Sequence, residues 1–308
     1  MGMIQEPGIY DLSEAEYHAD PAPKPSLSSG VASALVLYPP KEAWFMHPRL
    51  NPDFEVEDER KYDLGTVAHE LVLGKGAGIR IIEADDWRKK DTQEQRTQAI
   101  AEGKQPCLIG VYEKAQAMRT ALMEQLADDP DNRDAFVSGL GFAEQSMLWK
   151  EGHRWCRSRP DWRLKDRPVI YDYKTFAGEK GADPEAFIKY IMGQARDVQD
   201  PHYSRGLGLL IDVPPEEVIF RYVVQDVDPP HLASVVEFDA ATKQLAQDRW
   251  AYAFRKWSEC LVSGIWPGFA ARTHYVGAPT WAFTQWEEKM MAEEMLGRVQ
   301  QLDTEAAE

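Results

Sequence analysis

The chain reads as an α/β protein with a central mixed β-sheet flanked by helices and preceded by a helical N-terminal region. Three observations lead there. Leu64, Val67, Ala68, Leu71 and Val72 recur at helical spacing ahead of the centre. Strand-like runs rich in apolar and aromatic residues then follow between Glu144 and Lys174. Beyond them helical and strand-like segments alternate as far as Ser263, an order that builds a helix-covered sheet.

In order, Ser26-Leu27-Ser28-Ser29 can cap a helix running to about Leu37, which Pro39-Pro40 ends. A short helix over 41–47 and an acidic stretch over 53–59 precede a helix over 62–73, stopped by Gly74-Lys75-Gly76-Ala77-Gly78. A strand is expected over 79–82, a polar mobile stretch over 85–105, and a long amphipathic helix over 109–126. Three successive strands are expected at 144–150, 154–163 and 168–174, the first two joined around Glu151-Gly152-His153. Residues 186–210 read as mostly helical despite Pro201, followed by strands at 218–225 and 233–238. Helices over 240–263 and 281–301 complete the chain, the last leading into an acidic tail. With no internal repeat or low-complexity linker, the expectation is one main domain over 1–270 and an acidic helical extension over 271–308.

At 308 residues, 44% hydrophobic and with ten tryptophans, the sequence can bury a substantial core. No apolar run approaches the roughly 20 residues that span a bilayer, so no membrane partner is expected. The start Met1-Gly2-Met3-Ile4-Gln5-Glu6 has neither the basic nor the apolar region of a signal peptide. Cys107, Cys156 and Cys260 are odd in number and form no CxxC pair, which points to a reduced, cytoplasmic protein. The net charge of −16 should repel nucleic acid at long range. Locally the balance reverses. Between Lys150 and Arg167 stand seven basic residues (Lys150, Arg154, Arg157, Arg159, Arg163, Lys165, Arg167) against three acidic ones (Glu151, Asp161, Asp166). Such a segment suits a confined phosphate-binding channel, or more plainly a solvated hairpin.

The chemistry concentrates in Arg159-Pro160-Asp161-Trp162 and Ile170-Tyr171-Asp172-Tyr173-Lys174. Residues two apart on a strand face the same way, so Asp172 and Lys174 share a face. If the strand carrying Asp161 pairs beside them, two carboxylates can hold a hard cation while Lys174 positions a water for in-line attack. The plainer reading is an exposed Asp-Lys pair, but apolar neighbours Ile170, Tyr171 and Tyr173 argue for burial, where unpartnered charges are costly. His69, with Gly65 one turn earlier leaving room beside it, could supply a neutral imidazole ligand, though a lone helix histidine is usually a core residue. Glu144 is a candidate second-metal carboxylate, with a solvent-facing strand charge as the preferred alternative. Gln199 and Tyr203 stand four apart on one helical face and could hydrogen-bond a phosphate or a terminal nucleotide.

This series, Gly65…His69, Arg159-Pro160-Asp161, Asp172-Tyr173-Lys174 and Gln199-x-x-x-Tyr203, resembles the PD-(D/E)XK nuclease superfamily in its RecB-like branch. The RecE (exonuclease VIII) type is most similar, sharing also Gly8-Ile9-Tyr10-Asp11, Leu27-Ser28-Ser29 and the run from Cys156 to Trp162. The resemblance covers roughly residues 8–270 and implies a restriction-endonuclease-like core. It implies a Mg²⁺-dependent (or Mn²⁺-dependent) exonuclease with two ions per site, degrading one strand of linear double-stranded DNA in the 5′ to 3′ direction. It further implies a homo-oligomeric ring, a trimer or tetramer, working beside a single-strand annealing recombinase in phage-type recombination. His69, Asp161, Asp172 and Tyr173 would then contact metal, with Glu144 assisting and Lys174 as the water-positioning base. Gln199, Tyr203, Arg157, Arg159 and Arg163 would contact DNA, and the Ser28/Ser29 helix start would hold a terminal phosphate. Iron–sulfur relatives need four cysteine ligands, so no iron–sulfur cluster is expected with three.

Two other functions compete. A structure-specific endonuclease on the same fold would also cut closed circles, which an exonuclease needing an end would not. A non-catalytic DNA-end-binding protein would have no use for the intact Asp161, Asp172 and Lys174. The stretch from Glu287 to Glu308, with seven acids against Lys289 and Arg298, reads as a solvated helix or a docking tail.

Overall fold

β-Branched and aromatic residues dominate two stretches of the centre, and in the computed structural model these become its longest strands, eight residues each. The structure describes residues 2–54, 64–178 and 180–305, with side chains as far as residue 296. Residues 55–59 of the expected acidic stretch, the first two residues of the expected 62–73 helix, and residues 306–308 lie outside the described residues.

In chain order the elements begin with β1 (Gly8–Tyr10), α1 (Glu14–His18), α2 (Ser29–Leu37), α3 (Pro40–Phe45) and α4 (Leu64–Leu73). Then come β2 (Ile79–Ile82), α5 (Lys90–Ala101), β3 (Gln105–Leu108), α6 (Ile109–Ala127) and β4 (Gly141–Ala143). The central strands are β5 (Ser146–Glu151), β6 (Arg154–Ser158), β7 (Trp162–Leu164) and β8 (Val169–Phe176). After α7 (Pro184–Gly193) and α8 (Gln199–Ile211) follow β9 (Ile219–Asp226), β10 (Ala233–Val236), α9 (Ala240–Ser263) and α10 (Thr280–Glu305).

A five-stranded mixed sheet runs β10-β9-β8-β7-β4. Only β8 and β9 in it are parallel, with Asp172 opposite Tyr222 and Lys174 opposite Val224. A parallel pair needs a long crossover, and α7 and α8 supply it. Alternation along β8 sends Ile170 to a core shared with Leu35, Phe220, Tyr222, Trp250 and Trp257, among helices α2, α8 and α9. Tyr171 and Tyr173 go to the opposite core with Val67, Met118 and Leu122 from α4 and α6. The sheet is therefore covered by helices on both faces, the α/β arrangement expected. A separate antiparallel sheet has the order β1-β5-β6, and β2 pairs with β3 in parallel.

Four local expectations change. The polar stretch at 85–105 contains α5, which buries Thr92 and Ala99; so few apolar residues leave little periodicity to read. The single strand expected over 154–163 is two strands in different sheets, broken at Arg159-Pro160, where proline cannot donate to a ladder. The strand expected from Glu144 starts at Ser146, and Glu144 itself adopts a left-handed backbone with φ +48°. The helix over 186–210 is two helices joined through left-handed Ala195, with Pro201 in the first turn of α8, where no amide donor is needed. The chain divides into two compact units, Met1–Gly268 and Phe269–Glu308. The second carries α10 with exposed Trp281, Phe283 and Trp286. Among the described residues no helix is long and apolar enough to cross a membrane.

Candidate active site

Asp161 occupies the break between β6 and β7, and three separate elements fix it there. Its backbone carbonyl accepts from the Glu144 amide at 3.0 Å. Carboxylate Oδ2 accepts from the Tyr173 amide on β8 at 2.8 Å, and Oδ1 lies 3.3 Å from His69 Nε2 on α4. The strand break that periodicity did not show is thus what turns this carboxylate toward β8.

Asp172 sits at the middle of β8 and is 1% exposed. Gln199 Nε2, at the start of α8, donates to its Oδ1 at 2.6 Å. Its Oδ2 is ion-paired with the Lys174 ammonium. That ammonium also lies 3.9 Å from Asp161 Oδ2 and 3.5 Å from the Tyr173 carbonyl oxygen. A cation therefore already stands among the three oxygen donors that sequence reasoning assigned to a metal. The Tyr173 phenol is elsewhere, donating to Gln225 Oε1 at 2.7 Å, so this residue faces the site only through its backbone.

The electrostatics follow from burial against pairing. Burial pushes the Asp172 carboxyl up, the Asp161 charge adds to this, and Lys174 and Gln199 offset part of it, leaving a pKa of about 6. Burial also acts on Asp161, but Lys174 and His69 together hold it below the usual carboxylate value. Burial works against the Lys174 ammonium, yet Asp172 and Asp161 more than compensate and raise its pKa. His69 behaves likewise: desolvation opposes its charge, but Asp161 and Glu144 tip its pKa upward. Glu144 Oε2 accepts from Arg159 Nη2 at 2.8 Å, while Oε1 lies 4.0 Å from His69 Nδ1. Glu144 therefore belongs to this cluster through its left-handed turn, and the reading as a solvent-facing strand charge does not hold.

The remaining candidates separate into those at the site and those within the protein. Tyr203 is buried, its ring edge-on to Phe220. At 6% exposure it packs in the core with Phe220 and His202. Ser28 caps α2 by accepting from the Val31 amide. Arg157 is a correction: it is 4% exposed and donates to the Ser26 carbonyl and hydroxyl at 2.8 Å, beside buried Asp20. A guanidinium so enclosed cannot meet DNA. Arg163 donates to Gln145 and lies over the Phe142 ring, and Arg167 pairs with Asp134, so the cation-rich segment is dispersed among partners.

A cleft of about 440 Å³ opens on this cluster, lined by Gly65, Thr66, His69, Tyr173, Lys174, Thr175 and Arg196. Arg196 is the functional candidate that sequence reasoning missed. It stands alone between two helices, outside any cationic run, and its only sequence signal is its place three residues before Gln199.

Whether this donor set fits a divalent ion can be asked of its chemistry. Two carboxylates, a peptide carbonyl and an imidazole suit Mg²⁺ or Mn²⁺, which favour oxygen ligands. Among the described residues no three His, Cys, Asp or Glu side chains are already drawn together as a metal cage. The Lys174 ammonium takes up the space between the carboxylates, so the set fits in kind once that side chain swings aside.

No family model matches this chain, and no curated protein matches it in sequence. Among solved structures, the crystal structure of a "Putative exonuclease" from Eubacterium rectale is similar with a TM-score of 0.56 at 11% identity, covering 89% of this chain and 98% of that one. A second, of SSO0001, covers 68% of this chain and 96% of its own at 15% identity, with a TM-score of 0.21. The first likeness shows a shared fold: the mixed sheet with helices on both faces, on whose strand β8 Asp172 and Lys174 stand, is one that the Eubacterium rectale protein also adopts.

Proposed function

We propose that this chain is a metal-dependent exodeoxyribonuclease that hydrolyses phosphodiester bonds in one strand of linear double-stranded DNA, from the 5′ end. The observation that carries the reading is the meeting of Asp161, Asp172 and the Tyr173 carbonyl around one cation, the Lys174 ammonium. The fold shared with the Eubacterium rectale protein supports the nuclease class through that protein's name.

Asp161, Asp172, the Tyr173 carbonyl and His69 would hold Mg²⁺ or Mn²⁺, which when bound neutralises phosphate charge and acts as a Lewis acid. Gln199 orients Asp172, and the Tyr173 amide and His69 orient Asp161, so both carboxylates are preset before substrate arrives. Lys174, freed from the carboxylates, is long enough to donate a hydrogen bond to the attacking water. It would then be the water-positioning base that the sequence resemblance implies. The ring assembly, two-ion site and annealing-recombinase partner remain parts of the same proposal, supported by the sequence resemblance, and the cytoplasmic location by the cysteine usage.

The test is digestion of linear duplex DNA labelled separately at each 5′ and 3′ end, with Mg²⁺ and then EDTA, beside a closed circle. Early Mg²⁺-dependent release of the 5′ label with the circle intact is the expected result. Cleavage of the circle would favour an endonuclease, and no release from any end would remove the catalytic reading.

A further inference from the structure

We infer that Arg196 binds a backbone phosphate of the DNA strand lying in the cleft, and so positions that strand over the carboxylate pair. The inference rests on the nuclease reading and adds to it a residue that neither the sequence motifs nor the fold likeness marks.

The other cations of the site are already neutralised. Lys174 is paired with Asp172 and lies near Asp161, and Arg159 is paired with Glu144. Arg196 lines the same cleft, its side chain is exposed, and among the described residues it has no carboxylate within ion-pair distance. Its charge is nonetheless felt at Lys174, where it works against protonation. A guanidinium that has no carboxylate partner breaks no ion pair when it takes an anion, so a phosphate diester arriving in the cleft can supply its partner.

The backbone carrying Arg196 is held in place from several sides. Ala195 before it is fully buried in a left-handed conformation at φ +47°, and its carbonyl accepts from Ser33 Oγ at 2.8 Å. The Arg196 carbonyl accepts from the Tyr222 hydroxyl at 3.0 Å, and Asp197 after it is buried and paired with Arg249 at 2.9 Å. A strained residue held by its surroundings is a common way to aim a side chain at a site. The guanidinium itself lies 5.8 Å from the Tyr190 ring. Structure is thus carried by the backbone of this turn, and the side chain is left for a ligand.

The test compares wild type with Arg196→Gln and Arg196→Lys. Binding of a short fluorescein-labelled duplex is followed by anisotropy in EDTA over a range of salt concentrations, and Mg²⁺-dependent cleavage is measured in parallel. Arg196→Gln should weaken binding roughly tenfold to a hundredfold, the loss expected for a charge-assisted pair. It should also reduce the slope of log affinity against log salt by about 0.9, the release of one counterion. Arg196→Lys should restore the slope and only part of the affinity, since it keeps the charge and loses the fork. The thermal midpoint should not move. Unchanged affinity and slope in Arg196→Gln, with cleaving wild type, would overturn the Arg196 assignment alone. A wild type that neither binds nor cleaves DNA would overturn the nuclease reading with it. Duplexes with 5′-phosphate and 5′-hydroxyl ends separate the two phosphate sources. Equal losses on both support a backbone phosphate, and a loss confined to the phosphorylated end would overturn it.

Discussion

Gln199 Nε2 donates to Asp172 Oδ1 at 2.6 Å, joining the first turn of α8 to the middle of β8. This bond favours the ionised carboxylate that burial disfavours, and it leaves the other oxygen free to face Lys174. Gln199→Ala should therefore raise the Mg²⁺ concentration for half-maximal cleavage by about tenfold, the worth of one hydrogen bond to a charged group. A metal titration of cleavage rate checks this. A change in DNA affinity with unchanged metal demand would place Gln199 on the nucleic acid instead.

Asp172→Asn and Lys174→Ala should each lower cleavage by about a thousandfold or more, the scale on which preorganised charge acts. Neither should unfold the chain: removing Asp172's charge relieves the burial that lifts its pKa to about 6, and in Lys174→Ala the buried Asp172 can take up a proton while keeping its hydrogen bond from Gln199. Circular dichroism melting beside cleavage assays tests both halves. A melting midpoint lowered by more than a few degrees in both variants would mean that the pair is a structural network.

Arg157 makes the opposite prediction. It is enclosed with Asp20, Ser26 and His47, and its carbonyl meets the His202 imidazole at 3.0 Å. Arg157→Ala should cost about 3–5 kcal/mol of stability by taking from buried Asp20 its guanidinium partner, leaving it only Ser26 and the neutral His47. Urea denaturation measures the loss. A stable variant with weakened DNA binding would restore the surface role expected from sequence.

The histidines should separate by pH. Burial pushes His47 and His202 down to about 4, so both should stay neutral well below the ordinary value of 6.5. His69 should instead gain its proton above 6.5, because Asp161 stabilises the imidazolium, and Asp161→Asn should bring its midpoint down. Nuclear magnetic resonance titration of the imidazole nitrogens reads all three. A His69 midpoint unaffected by Asp161→Asn would break the proposed contact between α4 and the strand break.

These residues also show what can be read from sequence. Asp172 and Lys174 were legible because strand periodicity fixes their common face and their neighbours announce burial. The helices were legible where apolar spacing was strong, as in α4 and α9, and illegible where it was weak, as in α5. The approach of Asp161 to β8 depends on a strand break and on Glu144's left-handed turn, neither of which has a periodic signature. The inward turn of Arg157 and the outward placement of Arg196 are set by tertiary packing. Counting basic residues gives no access to that, so the richest cationic segment proved dispersed and an isolated arginine lines the cleft.

The most direct test of the account compares wild type with Asp172→Asn on the same 5′-labelled linear duplex, with Mg²⁺ and with EDTA, both proteins shown to be folded. The account predicts release of labelled nucleotide by wild type in Mg²⁺ only, and none by the variant under either condition. Equal release by Asp172→Asn, or release by wild type in EDTA, would contradict the claim that Asp161, Asp172 and Lys174 form a metal-dependent nuclease centre.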